Sequence, residues 1–158
     1  MKNSFVLRQE GRTMMKRHLM LAALCATLGT SQAFARDTVS NYPVDAALKS
    51  EPGKVGDDIA LYFAGQHHPA VAQTYGEFAT NKKTNAFGKS DQAACQHVFL
   101  SAVIQLQERA RQEGGNAVIN IKSNYENKER ESATEFTCGA GAVIAGVALK
   151  GDVVTLKK

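Results

Sequence analysis

Cysteines, histidines and clustered glycines are the residues in this chain that could carry chemistry, and each set has a definite spacing. Cys95 and Cys138 lie far apart, with no C-x-x-C motif around either. A redox-active or zinc-binding pair would need further thiols or other soft ligands close by. None is present, so the pair is expected to form a structural disulfide. His67 and His68 are adjacent, between Gln66 and Pro69. Neighbouring imidazoles in a turn can hold copper, nickel or zinc weakly. Tyr62 and Glu77 do not complete a ligand set, so His67 and His68 make a weak metal site at most, and no other cofactor is expected. His97 follows Cys95 by two residues, and at helical spacing the two side chains point about 200° apart. That excludes a cysteine–histidine catalytic pair. Gly141 and Gly146 have the four-residue gap of a phosphate loop, but Val147 and Ala148 follow where lysine and a hydroxyl residue are needed. Gly139, Gly141 and Gly146 read instead as strand glycines that permit a bulge or a close approach. No serine–histidine–acid set stands out, and no carboxylate pair falls within an apolar segment. No catalytic residue is assigned, and the chain reads as non-enzymatic.

Whether two cysteines pair depends on their compartment. Met14 to His18 is a short basic segment, Leu19 to Leu28 is apolar apart from Thr27, and Ala33-Phe34-Ala35 follows. A basic head, a short apolar middle and small residues at the end make a secretory signal peptide, cleaved after Ala35. The apolar run is shorter than the roughly 20 residues that a permanent span needs. Residues 1–13 are a basic lead-in or the product of an upstream start codon. Cys25 lies inside the apolar run, after the bulky Leu24 rather than the small residue that lipid attachment wants, and is read as discarded leader. The expected location is periplasmic or secreted, where a cysteine pair is usually oxidised. Closing so long a loop stabilises by about 4 kcal/mol in the chain-entropy account. The net stability of a small domain is of order 5–15 kcal/mol, so the brace matters.

Processing also changes the charge. The leader takes with it five basic residues and one acidic residue, leaving fourteen of each. A net positive charge that vanishes in this way is no argument for nucleic-acid binding, which wants a clustered basic face. The expected partner is a protein of the cell envelope or a second copy of the chain, with no nucleic acid and no permanent membrane span.

The elements that must position these residues follow from local patterns. The mature chain divides into an N-terminal segment, 36–56, and a single α/β domain, 57–158. Arg36 to Asn41 reads as extended, and Pro43 is placed to open a short helix to Lys49. Asp58 to Ala64 reads as a strand and Gly65 to Pro69 as a turn. Ala70 to Ala79 reads as a second strand paired with the first, and Asn81 to Asn85 with Gly88 as a surface loop. Ser90 or Asp91 caps a long helix whose stripe is Cys95, Val98, Phe99, Ala102, Leu106 and Ala110. Gly114-Gly115 stops it. Leu100 and Ile104 fall off the stripe; either the N-terminal segment covers them or they form a contact surface for another subunit. Ala117, Ile119 and Ile121 alternate on one face of the next strand. Asn124 to Glu131 is a charged, solvated connector. Thr134, Phe136 and Cys138 share a core-facing strand side, which would bring Cys138 to Cys95. Ala142 to Lys150 is a last apolar strand, which Val153 to Leu156 extends or follows.

Cys95 heading a helix, Glu108-Arg109-Ala110, Gly115-Asn116-Ala117-Val118 and Cys138-Gly139-Ala140-Gly141-Ala142-Val143 together resemble a group of small exported proteobacterial proteins. Many of these carry the label "excinuclease ATPase subunit". This chain has no nucleotide-binding motif, so DNA-repair ATPase activity is not expected of it. The helix–Gly-x-Asn-Ala-Val–strand unit is more distantly similar to the YbjQ-like family, called heavy-metal-binding domains, and to the signalling domain of the stress-sensing lipoprotein RcsF. That resemblance implies an α+β sandwich: a small mixed sheet with one long helix packed across it. It also implies that Cys95 and Cys138 match one of the two RcsF disulfides. Ring formation in YbjQ-like proteins would give Leu100 and Ile104 a use, and the RcsF likeness suggests a role in envelope stress.

Overall fold

A computed structural model describes residues 37–157. The elements run β1 (Asp37–Pro43), α1 (Val44–Ser50), β2 (Ala60–Phe63), β3 (Val71–Asn85), α2 (Asp91–Glu113), β4 (Ala117–Ser123), a single 3-10 turn (Tyr125–Asn127), β5 (Glu135–Gly141) and β6 (Ile144–Leu156). The signal peptide and the Ala35 cleavage site lie outside the described residues.

The 23-residue helix α2 forms where its start and stop signals stand. The Ser90 hydroxyl accepts the Ala93 N–H at 3.2 Å, meeting one of the unpaired donors of the first turn. Gly114 takes φ 80°, the left-handed conformation that suits glycine. The Gly115 N–H then closes the helix on the Ala110 carbonyl at 2.9 Å. Every residue of the expected apolar stripe is buried.

The six strands make one mixed sheet around β6. β3 runs antiparallel along one edge of β6 from end to end. The other edge is shared, with β5 against its beginning and β4 against its end. β1 adds antiparallel to β5, and β2 adds parallel to β4. The helix α2 packs across the inner face, giving the α+β arrangement of a mixed sheet with one long helix across it. Phe99 stacks on Phe136 at 4.1 Å in the middle of this core. Beside them Cys95 of α2 is joined to Cys138 of β5, with the Cα atoms 5.9 Å apart and both residues fully buried.

Several sequence expectations are corrected. Ala70 to Ala79 does not pair with the β2 segment; it is part of β3, whose partner is β6. Asn81 to Asn85 is not a loop but the end of β3. Its polar composition fits an edge strand, which needs no apolar outer face. Ile121 does not share a face with Ala117 and Ile119. Asn120 takes φ 53° and the pairing with β6 slips there, so Ile121 turns into the main core while Ala117 and Ile119 join a smaller cluster opposite. Pro43 is the residue just before α1 rather than its first helical residue. Leu100 is fully buried and Ile104 half-buried. Val44 and Ala47 of α1, with Leu48 and Val55, join the core that holds Leu100. Leu100 therefore has no free surface to offer another subunit.

Residues 37–56 are built into the sheet and the core. β1 completes one side of the sheet, and the connector after α1 is tied to α2. Gln107 is fully buried; its Oε1 accepts the Gly56 N–H at 3.2 Å, and its amide donates to the carbonyls of Gly56 and Ile59 at 2.7 and 3.0 Å. Arg111 adds a two-pronged contact to Asp58, both bonds 2.7 Å.

Candidate functional site

With the inner face covered by α2, the outer face of the sheet is where a ligand could meet ordered strands. It has three zones. The first is the small apolar cluster of Ala117, Ile119, Val154 and Leu156, with Ala60, Tyr62 and Val71 packed against it. The loop 65–70 lies beside it: His68 meets the Tyr62 ring edge-on at 5.7 Å, and Lys157 N–H donates to the Ala70 carbonyl at 2.8 Å. His67 is exposed and His68 half-buried. The Nδ1 of His68 is 2.8 Å from the Pro69 carbonyl, so Nε2 is the ring nitrogen left to act as a ligand. Among the described residues no third histidine, cysteine or carboxylate joins them as a metal-ligand group.

The second zone is a charge network. Glu129 reaches Lys122 and Lys150 at 2.8 Å each, and Glu77 stands 3.4 and 3.6 Å from the same two lysines. The hydrogen bonds from Lys122 and Lys150 hold the Glu129 carboxyl down at about 2. Glu129 in turn raises both lysines. Two carboxylates are thus matched to two ammonium groups. The zone reads as a tie between the 124–131 connector and the sheet.

The third zone is an open groove of about 590 Å³. Its floor is Gly139 and Gly146, paired across β5 and β6. A Cβ on Gly139 would overlap the hydroxyl and ring of Tyr125, and one on Gly146 would touch that ring at 3.7 Å. These two glycines thus serve the close approach of an aromatic ring. Tyr125 is brought there by a turn in which Glu126 and Asn127 both take left-handed backbone angles, φ 53° and 59°. That conformation is costly for a residue with a long side chain. Asp37, Asn81, Lys83 and Glu126 stand in its walls with the apolar Val143 and Ile144. Burial, with Asp37 and Glu126 nearby, pushes the Tyr125 phenol above its ordinary value. The phenol therefore stays protonated, a neutral donor beside carboxylates of opposite character to Lys83.

Sequence reasoning explains Gly139 and Gly146 only in type and misses Tyr125 altogether. The available signal was a lone aromatic inside the charged run Tyr125 to Glu131. His97, expected to be a surface or partly buried helix residue, is half-buried and lies 2.8 Å from Glu51 and 3.3 Å from Lys54, far from His67 and His68 in role: it fastens the connector after α1. No protein-family model, curated protein or solved structure matches this chain.

Proposed function

We propose that this chain is an exported, disulfide-braced domain that works as a binding module, not an enzyme, and takes a protein partner of the cell envelope into the outer groove. The observation that carries the reading is the Tyr125 ring seated on the Gly139–Gly146 floor beside an open groove with groups of both charges. An aromatic wall with polar groups of both charges is a setting in which the side chains of a peptide segment can find affinity and register. The signal peptide, the periplasmic location and the kinship to YbjQ-like and RcsF-like domains belong to this proposal, as does a part in envelope stress. The test is a photo-crosslinking amino acid in place of Asn81, at the groove, and in place of Lys49, on α1. A discrete adduct from position 81 alone is expected. An adduct of twice the chain's mass would assign the groove to a second copy. No adduct from position 81 overturns the reading.

A second reading, a weak transition-metal site, rests on the loop that holds exposed His67 beside His68, whose Nδ1 faces the Pro69 carbonyl and whose Nε2 is left as a ligand. Calorimetry with copper, nickel and zinc on the wild type and on the His67→Ala/His68→Ala variant decides it. Equal heats from the two proteins remove it.

A further inference from the structure

The four large apolar residues that stay exposed among the described residues are Val39, Phe87, Val143 and Ile144, and all four gather at one end of the sheet. Val143 sits in the β5–β6 turn and Ile144 opens β6. The Ala86 N–H donates to the Val143 carbonyl at 2.7 Å, and Asn85 pairs with Ile144. Phe87, three-quarters exposed, is therefore held next to them. Val39 faces Gly139, near the start of β1 at this same end. Scattered single apolar residues need no explanation, but a cluster at one tip does.

The tip wears a basic collar. Lys82, Lys83 and Lys89 come from the strand and loop that present Phe87. None of them is in an ion pair among the described residues: the Lys89 ammonium donates to the Asn85 carbonyl at 3.1 Å. Of the carboxylates nearby, Glu126 is engaged with Lys128 at 3.3 Å, and Asp91, in the first turn of α2, has a partner of its own. Asp37 remains, and Arg36 precedes it in the chain.

We infer that this tip docks on an anionic phospholipid surface, with Phe87, Val143 and Ile144 entering the headgroup boundary and Lys82, Lys83 and Lys89 contacting the phosphates. Apolar side chains flanked by lysines outside any ion pair supply the two signals that reversible surface attachment needs. Val143, Ile144 and Lys83 also stand in the wall of the groove, so a docked domain would hold the groove against the membrane surface. A vesicle assay needs no groove ligand, so its outcome is read apart from the proposed peptide binding.

The chain contains no tryptophan, so Phe87→Trp gives a single reporter. The protein is purified as cells process it and mixed with vesicles of phosphatidylglycerol and phosphatidylethanolamine, or of phosphatidylcholine alone. Blue-shifted emission from the Phe87→Trp variant is expected with the anionic vesicles only, and none from Glu131→Trp, beyond the opposite end of β5. In sedimentation, Phe87→Ser should weaken binding about tenfold. The Lys82→Gln/Lys83→Gln/Lys89→Gln variant should weaken it about a hundredfold at low salt, at roughly fivefold per lysine. All these positions are on the surface, and unchanged melting confirms that the variants fold. No binding by the wild type, equal binding to both vesicle types, or equal binding by the variants each overturns the inference. So does a tip that captures a protein while ignoring anionic vesicles.

Discussion

The inner and outer faces of the sheet use the same strands and are finished by opposite means. Along β6, Ala145, Val147, Leu149 and Val153 point inward to α2, while Ile144, Gly146, Ala148, Lys150 and Asp152 point outward. The inner face is closed by a helix, a buried disulfide and stacked aromatic rings. The outer face is closed by short loops, a lysine–glutamate network and one tyrosine lying on glycines. Stability is concentrated where water is excluded, because apolar burial and chain closure contribute kilocalories while exposed ion pairs contribute little. The outer face is consequently free to vary in shape and charge without unfolding the domain.

The sharpest way to break this contrast is to cut the inner brace. Reducing Cys95–Cys138, or replacing both with alanine, should cost about 4 kcal/mol, read as a lower melting temperature. Because both cysteines are buried, reductant should act only as fast as the domain opens. An unchanged melting temperature would mean the inner face does not depend on the brace. Leu100→Ala should follow at about 3 kcal/mol, the cost of a cavity in a filled core. It should leave any photo-adduct from position 81 intact; loss of the adduct in a still-folded protein would return Leu100 to the contact surface.

Changes on the outer face should be smaller and more specific. Gly139→Ala displaces the Tyr125 ring and should cost about 2 kcal/mol, together with crosslinking from position 81. Wild-type behaviour of the alanine variant in both assays would show that the ring does not rest on the floor. The smallest effect is expected at Glu129, whose folded carboxyl titrates at about 2 against an ordinary 4.5. A lowered folded value means its stabilising contribution is whole above about pH 4.5 and drains away as the pH falls from there through 2. Glu129→Gln should flatten that stretch of the melting-temperature profile and leave the rest in place. An identical acid limb in the two proteins would remove Glu129 from the account of the outer face.

Much of the inner face was legible before any coordinates. The stripe from Cys95 to Ala110, the Ser90 cap, the Gly114 stop and the alternation of Phe136 and Cys138 are short-range patterns, and each is present. The outer face was far less so. Tyr125 lies in a charged stretch that reads as solvent, and only the approach of β5 to β6 gives its ring a floor. The lysines at 82 and 83 look like a loop until β6 is laid alongside them, since an edge strand can stay polar on its open side. Leu100 looked spare because the helical pattern cannot say that α1 returns to the same core.

The sequence by itself determined where α2 starts and stops and which of its positions turn inward. Those are properties of neighbours within a few residues. Tertiary structure alone decided that β3 belongs to β6, that Asn120 turns Ile121 to the other face, and that Tyr125 settles on Gly139 and Gly146. Strand partnership and register join residues tens of positions apart, and no local preference encodes which of several compatible edges a strand will meet.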